Sequence, residues 1–137
     1  MLMVKTKLGQ SETHGTGLFA DEFIAKGTMT WRFAPGFDLV INPDDLLRLS
    51  EISRKQFWNY CYVDKFTHHY ILCFDDARFL NHSEDPNIGQ SKFGDEVEGI
   101  EIALRDIQPG EELLVNYNDF DKDAERKLKK LDEYKYS

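Results

Sequence analysis

The segment from Ile100 to Tyr117 constrains the fold most, because it reads as two short strands around a turn and not as a helix. Ile100, Ile102 and Leu104 alternate with Glu101, Ala103 and Arg105. A period of two puts the first set on one face and the second on the other. Gln108-Pro109-Gly110 turns the chain, and Glu112 to Tyr117 forms the second strand, with Leu113, Val115 and Tyr117 sharing a face. The first third has the same character: Val4 to Lys7, Leu18 to Ala20 and Thr28 to Phe33 are strand-like, and Lys26-Gly27 turns the chain between the last two. No βαβα alternation and no G-x-G-x-x-G after a strand is present, which disfavours a Rossmann-type sheet.

The middle departs from this pattern. Asn42 is placed to cap a helix that begins at Pro43, Asp44 and Asp45 and continues through Leu46, Leu47 and Leu49. Ser53 opens a second short helical stretch ending in the aromatic cluster Phe57, Trp58, Tyr60 and Tyr62, and Tyr70 to Phe74 returns to strand composition. After Asn118-Asp119, Phe120, Ala124, Leu128 and Leu131 recur at helical spacing, predicting an amphipathic C-terminal helix over 120–134. The chain of 137 residues reads as one domain, 1–137, with 42–74 as an insert.

Composition narrows the partners. The net charge of −8 opposes phosphate backbones, so direct nucleic-acid binding is not expected, whereas a basic peptide is attracted. No apolar run approaches the ~20 residues of a membrane span, and the first residues carry no secretory signal pattern. The two cysteines, Cys61 and Cys73, are not a CxxC pair, and the four histidines lack metal-ligand spacing. No metal is expected, and a reduced, intracellular chain follows: cytoplasmic by default, with a nuclear or exported-effector setting open.

Three segments carry candidate chemistry, and each has an ordinary structural reading. Gly15 and Gly17, around Thr16, let a backbone turn tightly or approach a ligand without a Cβ in the way; a plain glycine loop has the same composition. Arg78-Phe79-Leu80-Asn81-His82-Ser83, followed by Pro86-Asn87, offers polar groups for an amino acid's ammonium and carboxylate. A Ser- or Asx-stabilised turn reads equally well. Gly110-Glu111-Glu112-Leu113-Leu114-Val115-Asn116-Tyr117 is a turn and strand ending in a tyrosine, equally an edge strand with a wet phenol.

Together and in this order, the G-x-G, the R-F-x-N-H-S-x-x-P-N run and the G-E-E-L-x-x-x-Y ending resemble the SET-domain family of protein lysine methyltransferases. The resemblance spans roughly Lys5 to Phe120. It implies a mainly β, β-clip-like fold of small curved sheets with short helices, a threaded, knot-like C-terminal segment and a C-terminal helix. It also implies an S-adenosylmethionine-dependent enzyme that methylates lysine in a basic protein such as a histone, leaving S-adenosylhomocysteine. Gly15, Thr16 and Gly17 then cradle the cofactor, Asn81 and His82 hold its methionine end, and Tyr117 stands beside the transferred methyl. Tyr62 is the candidate second aromatic of the amine channel, with Tyr60 next; both also read as core aromatics. Phe120 is assigned to packing near the cofactor and Phe93 to the channel wall.

Departures from the family pattern are equally specific. Ile88 follows Asn87 where zinc-bearing members carry a cysteine, so the zinc-bound C-terminal module is absent and the 120–131 helix is expected to close the site instead. Trp31-Arg32-Phe33 does not match the usual aromatic-x-Gly pattern. These departures keep two alternatives in view: a SET-fold binding module without turnover, and a methyltransferase for a non-protein amine. A homodimer through an exposed sheet edge is compatible with the sequence.

Overall fold

Thr6–Gln10 (β1) and Thr16–Ala20 (β2) pair as an antiparallel hairpin with Gly9 opposite Gly17. In this computed structural model residues 1–91, 99–122 and 126–127 are described. β1 starts two residues later than the Val4–Lys7 pattern suggests, because its register follows β2, whose Leu18 and Ala20 are fully buried. The hairpin loop is closed by the Ser11 N–H donating to the Gly15 carbonyl at 2.7 Å. Gly15 sits at φ +50°, a left-handed conformation that suits glycine.

The later strands are β3 (Met29–Arg32), β4 (Leu39–Ile41), β5 (Tyr62–Val63), β6 (Tyr70–Leu72), β7 (Asn81–His82), β8 (Ile88–Ser91), β9 (Ile100–Ala103) and β10 (Leu114–Val115). Among the described residues they form small sheets in the orders β3-β9-β8, β4-β6-β5 and β10-β7, the last pair parallel and the others antiparallel. The molecule is therefore mainly β with short helices, as expected.

Short helical pieces connect the sheets. The expected helix at Pro43 is a 3-10 turn, Pro43–Arg48, and the Asn42 side chain accepts from the Asp44 N–H at 3.0 Å. The α-helix that follows, α1 (Glu51–Tyr60), is capped by Ser50 and not by Ser53, whose N–H donates to the Ser50 hydroxyl oxygen. Tyr62 lies beyond this helix, in β5. Phe120 also lies outside a helix: it ends the 3-10 turn Tyr117–Asp119. Of the predicted 120–134 helix, Arg126 and Lys127 are helical, while Ala124, Leu128 and Leu131 lie outside the described residues.

The alternation in β9 does not separate core from solvent. Ile100 is fully buried, but so nearly are Glu101 (8% exposed) and Ala103 (1%), while Leu104 is 41% exposed. β9 is the central strand of its sheet, and both of its faces are covered. Two clusters make the core: Leu18, Ile24, Ile88, Ile107, Leu113 and Val115 with small neighbours, and Trp31 with Cys73 and Ala77. Each large aliphatic side chain buried in the first contributes about 1.5–3 kcal/mol. That core fixes β10, whose neighbour Asn116 leads directly into Tyr117.

Candidate active site

The parallel β7–β10 pair sets Asn81 beside Leu114 and His82 beside Val115. Two distant segments thereby meet, and Asn87 locks them together. Its side-chain amide donates to the Glu112 carbonyl at 2.8 Å and its Oδ1 accepts from the Leu114 N–H at 2.8 Å. Asn87 is 2% exposed, so both bonds form away from water.

Asn81 ties this pair to the glycine loop. Its Nδ2 donates to the carbonyls of His14 (3.0 Å) and Thr16 (3.3 Å) and to Glu112 Oε2 (3.2 Å). Glu112 also accepts from the Ser11 hydroxyl at 2.7 Å. One carboxylate thus joins loop, β7 and β10. A Cβ on Gly17 would stand 2.7 Å from Glu112 Oε2, so this glycine makes room for the carboxylate. Gly15 differs: a Cβ there would meet nothing within 4 Å, and its requirement is the positive φ.

Above these ties lies a cavity of about 380 Å³, walled by Gly15, Thr16, Tyr60, Asn81, Tyr117 and Lys127 among others. That size falls within the usual range for small-molecule sites. Gly15, Thr16, Asn81 and Tyr117 reach its wall, whereas Gly17 and His82 stand behind it. The His82 ring packs on Tyr117 with centroids 5.3 Å apart, and its Nδ1 accepts from the Tyr117 N–H at 3.1 Å. Arg78 lines the same space, its guanidinium 5.5 Å from the Tyr60 ring centre. Cations, an amide and aromatic rings suit a zwitterionic amino acid joined to a flat heterocycle, which is the chemistry of S-adenosylmethionine.

A second, smaller cavity of about 70 Å³ adjoins it, and Tyr117 lines both. The Tyr117 hydroxyl donates to the Leu80 carbonyl at 2.7 Å. Burial raises the phenol above its ordinary value, and the nearby Asp121 and Glu112 carboxylates raise it further, so it stays protonated. Tyr62 and Phe120 complete an aromatic wall, with ring centres 5.3 Å apart in an edge-on arrangement, and Phe120 lies 6.0 Å from Tyr117. Tyr60 lines both cavities but is 41% exposed. Phe93 lies outside the described residues.

The C-terminal segment reaches this junction. Lys127 bonds the Asp121 carboxylate and the Cys61 carbonyl, with its ammonium 5.9 Å from the Tyr117 ring centre. Asp121 is 3% exposed and also accepts from the Val63 N–H. The sequence marks neither residue as functional, nor Glu101; Trp31, noted only as a departure from the aromatic-x-Gly pattern, lines the small cavity with Glu101. All four act through contacts between remote segments, and no local spacing marks them.

A SET-domain family model matches residues 15–118. The chain belongs to the SET domain family. Its match covers the glycine loop, Asn81-His82 and Tyr117 together. Solved structures of the SET fold agree. A candidate histone methyltransferase of Plasmodium falciparum superposes with TM-score 0.58 at 22% identity, covering 85% of this chain and 95% of that one. Chaetomium thermophilum Polycomb Repressive Complex 2 in an autoinhibited conformation bound to S-adenosylmethionine gives TM-score 0.61 at 26% identity, covering 93% of this chain and 17% of that one. The same complex bound to GSK126 gives 0.62 at 27%, with 93% and 17% covered. This SET domain chain thus spans about a sixth of those Polycomb chains. No curated protein sequence matches it. Among the described residues no helix is long and apolar enough to cross a membrane.

Proposed function

We propose that this chain transfers a methyl group from S-adenosylmethionine to the side-chain amine of a lysine in a basic protein. The observation that carries the reading is Tyr117 standing in the wall shared by a cofactor-sized cavity and a small aromatic one. Family membership and a SET-fold neighbour bound to S-adenosylmethionine support the choice of cofactor.

When bound, the cofactor supplies an electrophilic methyl on a sulfonium. The chain's own residues do the rest. Gly15, Thr16 and Asn81 line the larger space, and Arg78 offers positive charge to a carboxylate. A free lysine has a pKa of ~10.4, so neutralising it at pH 7 costs about 4.6 kcal/mol. The walls of Tyr62, Tyr117 and Phe120 strip water from the amine and favour its neutral form. Tyr117, fixed by Leu80, keeps an oxygen lone pair available to orient the amine and to meet the polarised methyl by weak C–H···O contact. Alignment of amine and methyl through the shared wall then supplies most of the acceleration. The charge of −8 draws a lysine-rich partner to the surface.

Titration calorimetry with S-adenosylhomocysteine tests the cofactor assignment. One equivalent binding to the folded chain is expected; a folded sample that takes up none removes the basis of the proposal.

A further inference from the structure

The small cavity has a buried carboxyl, that of Glu101, in its wall. Trp31 and Glu101 are cross-strand partners in the β3–β9 ladder, and both line the cavity. Trp31 is 3% exposed, and its indole N–H is buried without a hydrogen-bond partner. The Glu101 carboxyl, 8% exposed, has a single side-chain bond among the described residues, from Gln90 Nε2 at 3.3 Å. Of the other charged groups near it, Arg78 also lines this cavity, with its guanidinium over the Tyr60 and Phe79 rings. Asp121 pairs with Lys127, the Met1 amino group with Asp38, and Asp75 accepts from the Leu2 N–H. Cys73 beside it is held as a neutral thiol by burial and by Asp38 and Glu101.

A leucine at 101 would pack this floor at lower cost than a poorly satisfied carboxyl. An under-met carboxyl acceptor, in the wall of a cavity that Tyr62, Tyr117 and Phe120 also line, fits a guest that brings N–H groups. Burial raises the Glu101 carboxyl to about 7, so it gains and loses its proton in the working range of such a site.

We propose that Glu101 is a specificity-determining residue: it accepts hydrogen bonds from the N–H groups of the target lysine nitrogen and so limits transfer to one methyl. The proposal rests on the methyltransferase reading above. Its logic is a count of donors. An unmethylated amine turns its lone pair to the cofactor and still keeps N–H groups for Glu101. Each added methyl replaces one N–H. A monomethylated amine has one N–H where the free amine has two, so in a second transfer one carboxyl oxygen faces a methyl in a space of about 70 Å³ and loses its compensating bond.

The test uses the full chain with recombinant core histones and labelled S-adenosylmethionine, scoring mono-, di- and trimethyl-lysine after hydrolysis. Wild type should give monomethyl-lysine in at least about tenfold excess over the higher forms. Glu101→Leu should lower the rate severalfold and yield di- and trimethyl-lysine. Glu101→Gln, which keeps an acceptor oxygen, should retain the monomethyl pattern and lose any rate inflection near pH 7. Cofactor affinity by calorimetry should stay within about twofold in both variants, which separates this role from a folding defect. A Glu101→Leu protein that transfers methyl with the wild-type product ratio, or a wild type that makes trimethyl-lysine freely, overturns the role of Glu101 alone. A wild type that transfers nothing overturns the enzymatic reading and this proposal together.

Discussion

At the scale of single residues, Tyr117 and Glu101 set opposite demands on burial. Tyr117 is a half-buried phenol whose proton is committed to the Leu80 carbonyl, so it serves as a fixed oxygen and not as a base. Tyr117→Phe should lower methyl transfer on the order of 100-fold by loosening the alignment of the amine. S-adenosylhomocysteine affinity, measured by calorimetry, should change by less than about threefold. Glu101 has a thermodynamic signature of its own. Burial lifts its carboxyl from 4.5 to about 7 in the folded state. The folded chain therefore binds the proton more tightly than the unfolded one. Stability from this group is fully present below about pH 4.5 and is lost as pH rises through 7, a swing of about 3 kcal/mol. Denaturant unfolding at roughly pH 5 and pH 8 should show this slope in wild type and lose most of it in Glu101→Leu.

At the scale of elements, the site depends on how β7, β10 and the β1–β2 loop are tied. Asn87→Ala removes both side-chain bonds that lock Glu112 and Leu114 and leaves two buried backbone groups unmatched. The expected loss is about 2–5 kcal/mol by denaturant unfolding, with an unchanged m-value, and cofactor affinity should fall with it. The same elements explain what the sequence discloses. Asn81 and Tyr117, which line the larger cavity, fall within short motif runs, and the Asn42 cap is legible because capping is local chemistry. Glu112 was not, since its partners Ser11 and Asn81 lie 101 and 31 residues away. The burial of Glu101 is not legible either, because alternation separates two faces without saying that both are covered, as they are in β9. Tyr62 was assigned to the end of a helix because aromatics cluster there. It belongs to β5, where pairing of Tyr62 with Ile71 of β6 holds it toward Phe120.

At the scale of the molecule, a mainly β frame brings three remote segments around two adjoining cavities, in a chain whose net charge is −8. Attraction of a basic substrate by that field is screened by salt. The KM for a lysine-rich peptide should rise severalfold between about 50 and 300 mM salt, with little change in kcat. The most direct measurement of the central claim is transfer itself, with labelled S-adenosylmethionine, core histones and the full chain. The account predicts label on lysine nitrogen, dependent on Tyr117. Cofactor binding without label on any lysine would contradict it and leave the chain a SET-fold binding module.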